Sequence, residues 1–408
     1  MPVLAADNLL LEAIDHSKLL ICVGSGGVGK TTTSAALALR ACVRGRDVLV
    51  LTIDPARRLL QALGLDHADI PANTPVEVLP RMSAALGESL PDGVRLHAMM
   101  LDPELGASQT IERLLPDPAL RADVLDNRIY RALLPIFSAA PDYVALELIA
   151  DLHAEQGYDL IVLDTPPTHN AMDFLNAGKT LSNFINERVL RWFARVPQPD
   201  ATGRGFNFLR RGSTVAMAVL GKLFGSEVLP DIAAFFQSFR DVLPALVARS
   251  QQTDALMRSP LTRFIAITAP GETSLREARH LRNLMLEQGL PFAGFVVNRV
   301  VQAPAGLADA EQVAAAGVHL EARLVSDGSS VAEAASLVAR LRAGAAHLTY
   351  MDHADRDHID SLRQLSGTGT FCAVAPQLEQ DIHVLSELND LGRRVVEGVL
   401  PTVADDRP

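Results

Sequence analysis

An open, doubly wound α/β sheet, mostly parallel, is the fold class this sequence predicts, and three features predict it. An apolar run of strand length, 19–23, leads into a glycine-rich loop. A stretch of helix formers without Gly or Pro, 30–41, follows it. Two further apolar runs, 48–53 and 160–163, each end in an aspartate, Asp54 and Asp164. Later strand-like runs at 263–269, 292–297 and 370–374 alternate with helical patterns, as repeated β–α–β units do.

Composition narrows the class further. The 408 residues can hold one large α/β domain with an insertion, or two domains. With 48% hydrophobic residues and a mean hydropathy of +0.17, there is ample material for a core. No apolar run reaches the roughly 18 residues of a membrane span, so no integral membrane segment is expected. The first 17 residues carry acids and lack the basic start and apolar run of a secretory signal. Cys22, Cys42 and Cys372 are far apart, no CxxC exists, and the first two fall in the first strand and helix. Buried structural thiols in a reducing cytoplasm are expected. The net charge of −11 argues against a nucleic-acid partner, because backbone binding needs an excess of cations. The acidic end, with Asp405 and Asp406, is no basic amphipathic anchor.

In chain order, residues 24–31 fit G-x-x-x-x-G-K-[ST], the phosphate-binding loop. Gly24, Gly26, Gly27 and Gly29 let the backbone turn tightly and aim its N–H groups at phosphate oxygens. The following helix N-terminus adds partial positive charge. Lys30 would reach the β- and γ-phosphates, and the Thr31 hydroxyl would join a Mg²⁺ shell. The expected nucleotide-binding set is Gly24, Gly26, Gly27, Val28, Gly29, Lys30, Thr31 and Thr32, with ATP and Mg²⁺ as cofactors. The second strand ends in Asp54-Pro-Ala-Arg57, at the edge where open α/β sheets bind ligands. Asp54 is read as a helix cap or as a catalytic group. Residues 76–79 read as an edge strand, 94–101 as a third strand, and 103–157 as helical. The run ending in Asp164 has the form in which a carboxylate acts on the Mg²⁺ shell.

The spacing G-x-G-G-x-G-K-T-T resembles the deviant phosphate loop of the MinD, ParA, nitrogenase iron protein and ArsA group of dimeric ATPases. The later motifs D-P-A at Asp54 and D-T-P-P-T at Asp164 resemble one branch of it, the family of arsenite-pump and tail-anchored-protein-targeting ATPases. That resemblance implies that Asp54 orients the attacking water and that Asp164 begins the second switch. It implies that Asn298, just after a Val-Val strand, contacts adenine, and that Pro376 belongs to the final adenine loop. It also implies a dimer. Departures are plain. The family's signature lysine, which reaches the partner's phosphates, stands here as Ser25. Arg57 replaces a histidine, His169 and Asn170 replace Gly-His, and the zinc-clasp cysteines are absent.

The second helical stretch, 171–257, includes the apolar run 214–224. In the resembled family, helices at these two insertion positions hold a transmembrane segment or a metalloid. Equally, their apolar faces can pack on one another. Residues 303–327 are Ala-rich and acidic, expected exposed, and 330–365 read as helical.

The reading is one phosphate-loop ATPase domain over 1–408, with helical insertions at about 103–157 and 171–257. Lys30 and Asp54 are the expected catalytic residues, Thr31 and Asp164 the metal ligands. The expected function is ATP hydrolysis in a cytoplasmic dimer, coupling nucleotide state to a hydrophobic client or anion. A membrane-bound partner is left open. The alternative is a nucleotide-sensing subunit with little turnover, paired in a heterodimer with a related chain that keeps the signature lysine; a homodimer remains the other arrangement.

Overall fold

The computed structural model describes residues 8–53, 58–65, 71–78, 88, 90–114, 118, 121, 141–155, 157–165, 248–249, 251–307, 309–367, 369–378, 382 and 384–400. Asp54, Arg57, His169, Asn170 and the run 214–224 lie outside the described residues.

The strands are β1 (Leu19–Val23), β2 (Val48–Thr52), β3 (Val76–Glu77), β4 (Leu96–Met100), β5 (Leu160–Asp164), β6 (Thr262–Thr268), β7 (Phe292–Val300), β8 (Phe371–Pro376) and β9 (Val399–Leu400). The helices are α1 (Leu9–His16), α2 (Lys30–Val43), α3 (Arg58–Ala62), α4 (Pro103–Leu114), α5 (Pro141–Glu155), α6 (Glu272–Glu287), α7 (Ala310–Ser326), α8 (Val331–Ser366) and α9 (Leu385–Glu397).

Among the described residues the strands form one sheet, ordered β3-β4-β2-β5-β1-β6-β7-β8-β9. The seven inner strands run parallel, while β3 and β9 close the edges antiparallel. Strands β1, β2 and β5 are buried at every position, as parallel strands covered by helices on both faces must be. Their side chains alternate between two cores. Leu20, Cys22, Leu160 and Val162 face a layer built with α1, α2 and α9. Leu19, Ile21, Val23, Ile161 and Leu163 face one built with α5, α6 and α8.

Helix α2 is buried along almost its whole length. Helix α9 packs closely against it, because Gly392 has no side chain: a Cβ there would lie 2.8 Å from the Ala36 carbonyl. Helix α1 was not foreseen from the sequence. Asn8 caps it, accepting from the Leu10 and Leu11 amides at 3.1 Å each.

Residues 303–327 also hold more order than expected. Helices α7 and α8 form a hairpin inserted between β7 and β8. The 36 residues of α8 span about 54 Å. A capping box starts it, with Glu333 N donating to Ser330 Oγ and Ser330 N to Glu333. Much of the hairpin is exposed, Val318, Leu341 and Tyr350 included. Its root is fixed to the sheet: Val301 N donates to Asp355 Oδ2 at 2.8 Å. Burial raises the Asp355 carboxyl above its ordinary range, against the lowering effect of that bond.

A buried ion cluster joins α4 and α5 to the segment that leads into β6. Arg249 donates to Glu147 at 2.6 Å and also to Asp151, which Arg113 of α4 reaches as well. Thr253 completes the cluster, donating to Glu147 at 3.1 Å. Glu147 is 1% exposed. Burial alone would lower the Arg249 pKa, yet the two carboxylates outweigh it and hold it raised.

Candidate nucleotide-binding site

Because the inner strands are parallel, the chain segments leaving β1, β2, β5, β6, β7 and β8 share one sheet edge, where open α/β folds collect their ligands. The glycine loop leaves β1 at that edge. Gly24 passes so near β6 that a Cβ would sit 2.0 Å from the Ile267 carbonyl oxygen. Gly29, at φ +88°, is the N-cap of α2, and a Cβ there would stand 2.2 Å from the Asn298 side-chain nitrogen. No side chain caps this helix and no acid occupies its first turn. Its positive end is therefore uncompensated where the loop turns.

Lys30 is 7% exposed, and its ammonium donates to the Ser25 carbonyl at 2.8 Å. The lysine is thus held across the loop's own backbone. Thr31 Oγ1 donates to Asp164 Oδ2 at 2.7 Å, and Thr52 Oγ1 donates to the same oxygen at 3.1 Å. Asp164 is fully buried. The next residue, Thr165, ties β5 to β1 by donating from Oγ1 to the Cys22 carbonyl at 2.8 Å. Directly below the loop, burial pushes the Cys22 thiol up to about 12. Cys372 is likewise raised to about 12 by burial. All three thiols are free and buried, as expected from their positions.

Beside the loop opens a cleft of about 220 Å³, lined by Gly29, Thr32, Asn298, Arg299, Pro376, Gln377, Leu378, Ile382 and Leu391. Asn298 and Arg299 reach it because β7 breaks register with β8 between Val297 and Val300. Asn298 is 7% exposed and donates from Nδ2 to the Val28 carbonyl at 3.0 Å. Part of its amide is therefore committed to the loop itself. Arg299 adopts φ +62° and is exposed.

Of the residues singled out from sequence, Lys30, Thr31 and Asp164 come together at the sheet edge, and Gly29, Thr32, Asn298 and Pro376 line one cleft. Gly24, Gly26, Gly27 and Val28 form the loop between them. Sequence reading missed Thr52, whose signal was a lone hydroxyl ending the apolar run Val48–Thr52. It also missed the apolar cleft wall of Leu378, Ile382 and Leu391.

The residues fit a nucleoside triphosphate with a hard divalent cation. The loop admits no side chain at Gly24 or Gly29, its lysine is buried, and a threonine hydroxyl touches a buried carboxylate, an all-oxygen donor pair suited to Mg²⁺.

Comparison with known proteins agrees. The profile of the anion-transporting ATPase family matches residues 17–315. ATPase ARSA1 of Chlamydomonas reinhardtii is 27% identical over 308 residues, covering 71% of this chain and 35% of that protein. The chain thus spans about a third of that relative. Putative arsenical pump-driving ATPase 2 of Aquifex aeolicus is 24% identical over 283 residues, 68% of this chain and 78% of that one. The ATPase ASNA1 homolog of Dictyostelium discoideum is 25% identical over 288 residues, 70% of this chain and 72% of its own. The family profile ends inside α7, so the exposed hairpin lies almost wholly beyond it. A glycine loop, a buried lysine and a Thr–Asp oxygen pair at the edge of this sheet, with a profile match over most of the sequence, lead to one conclusion: the chain belongs to the ArsA-type, anion-transporting ATPase family.

Proposed function

We propose that this chain binds ATP with Mg²⁺ and hydrolyses it within a cytoplasmic dimer, coupling nucleotide state to a hydrophobic client or anion held by its helical insertions. The observation that carries the reading is the 2.7 Å contact between Thr31 Oγ1 and Asp164 Oδ2, next to buried Lys30. Gly24, Gly26, Gly27, Val28, Gly29 and Thr32 cradle the phosphates through backbone N–H groups. Lys30 exchanges its bond to the Ser25 carbonyl for phosphate oxygens. Thr31 and Asp164 would hold the Mg²⁺, which when bound offsets charge on the phosphate oxygens. Asp54 positions the attacking water, and Asn298 and Pro376 meet the adenine. Catalysis here is electrostatic positioning rather than covalent chemistry. Among the described residues no helix is long and apolar enough to cross a membrane.

Titration calorimetry with ATP and Mg²⁺ tests the site. Lys30→Ala should abolish ATP binding while leaving the fold intact. Unchanged affinity in a folded Lys30→Ala protein refutes the assignment.

A second reading, favoured by Ser25, is a nucleotide-sensing subunit of a heterodimer. A cation supplied across an interface is worth about 10³–10⁵ in turnover in comparable phosphoryl-transfer sites. Serine supplies neither reach nor charge, so two copies of this chain lack both such lysines unless another cation, such as Arg57 or Arg299, substitutes. A related chain that keeps the lysine would complete the site on this subunit. The purified chain should then turn over slowly, and Ser25→Lys should raise its rate at least tenfold. Rapid turnover by the wild-type homodimer, unchanged by Ser25→Lys, rules this reading out.

A further inference from the structure

We infer that Arg299 is the base-stacking residue of the cleft: its guanidinium plane covers a purine ring that Leu378, Ile382 and Leu391 enclose from the apolar side. The inference rests on the nucleotide-site reading above and adds to it a residue that the family motifs do not supply.

Three observations carry it. First, Arg299 sits in the left-handed region, φ +62°, where an arginine is strained by contact between its Cβ and the backbone. The conformation arises where β7 loses register with β8 between Val297 and Val300, and pairing resumes at Val300 with Pro376. Strain at a non-glycine residue beside a ligand cleft is kept when the side chain has a use there. Second, the side chain is exposed and makes no hydrogen bond or ion pair among the described residues, so no internal partner explains its placement. Third, of the other cleft-lining residues contributed from beyond β7, Pro376, Leu378, Ile382 and Leu391 are apolar and Gln377 is polar but uncharged. An anion would find no second cation there. A flat aromatic ring finds apolar contact together with a planar cation that stacks on its face. Its neighbour Asn298, bonded to the Val28 carbonyl, stands beside the cleft with a polar amide for the ring edge.

The test measures binding of ATP, ADP and adenosine to the full chain by calorimetry, with thermal midpoints alongside. Arg299→Gly should weaken all three ligands by a similar factor, about 5- to 30-fold, between the exposed and the desolvated strength of a cation–π contact. Its thermal midpoint should hold or rise, since glycine is at ease at this φ. Arg299→Asn, which also tolerates the left-handed region, should show the same loss should glycine loosen the strand end. Arg299→Lys keeps the charge without the plane and should stay at least threefold weaker than wild type. Binding by Arg299→Gly and Arg299→Asn within twofold of wild type overturns the inference. So does full recovery in Arg299→Lys, or a loss confined to ATP, since either marks a charge contact with phosphate. Absence of ATP binding by the wild-type chain would overturn the nucleotide-site reading itself, and this inference with it.

Discussion

Replacing Gly29 with alanine tests how the phosphate loop is held, and the structure sets the size of the effect. At φ +88° an L-residue costs about 1–2 kcal/mol. The new Cβ would also stand 2.2 Å from Asn298 Nδ2, far inside ordinary contact. Asn298 must then move and give up its 3.0 Å bond to the Val28 carbonyl, in a loop where Val28 is 2% exposed. Leaving that acceptor without a partner adds about 1–3 kcal/mol. The single substitution should therefore cost about 2–5 kcal/mol in urea unfolding followed by far-ultraviolet circular dichroism. In an Asn298→Ala background the obstacle is gone and the bond already lost. Gly29→Ala should then cost only its backbone strain, about 1–2 kcal/mol. The double-mutant cycle should yield a coupling of about 1–3 kcal/mol. Additivity within about 0.5 kcal/mol would refute the claim that Gly29 is glycine to make room for Asn298.

Two further outcomes concern buried thiols and a buried ion cluster. Cys22 and Cys372, raised from 9.0 to about 12 by burial, stay protonated in the fold while the unfolded chain ionises. Their contribution is complete below about pH 9 and is lost as pH rises toward 12, at about 1.4 kcal/mol per unit for each thiol. Urea midpoints at pH 8 and 10.5 should diverge less in Cys22→Ala/Cys372→Ala than in wild type, and equal divergence would contradict this. Arg249→Ala should leave Glu147 and Asp151 buried without their shared cation and cost about 3–5 kcal/mol. Adding Glu147→Gln should recover part of that loss in thermal melts, and no recovery would argue that packing rather than charge holds the cluster.

The sheet was legible where chemistry and periodicity coincide. The apolar runs that became β1, β2 and β5 were readable because parallel inner strands are apolar on both faces. The glycine loop was readable because its backbone needs residues that few other folds tolerate in that order. Helix α7 was not readable as a helix. Its stretch is Ala-rich and mostly exposed, so no apolar stripe marked it, and it gains order by packing on α8. Arg299 gave no signal as a cleft residue. Its position depends on a register break between β7 and β8, and a bulge is a property of two strands rather than of one segment. Thr52 was overlooked for a similar reason. Its hydroxyl matters only because the register of β2 and β5 sets Thr52 against Asp164.

The same dependence on register fixes both ends of the candidate site at one sheet edge. Thr52 pairs with Asp164 on one side of β5, while Cys22 pairs with it on the other, so the carboxylate sits between two strands whose positions are fixed by buried side chains. On the far side of β1, the end of β7 has a similar place. Asn298 is bonded to the loop, Arg299 faces the cleft, Val300 accepts from the Gln377 amide at 2.8 Å, and Val301 donates to Asp355 of the hairpin. Four consecutive residues thus tie the glycine loop, the cleft beside it, the segment after β8 and the root of α8 to one strand end. A shift of any one of these parts must strain the backbone of the others or break a hydrogen bond, at about 1 kcal/mol or more for each bond lost. The strained residue, Arg299, lies in the middle of that run, at the point where a bound base would push.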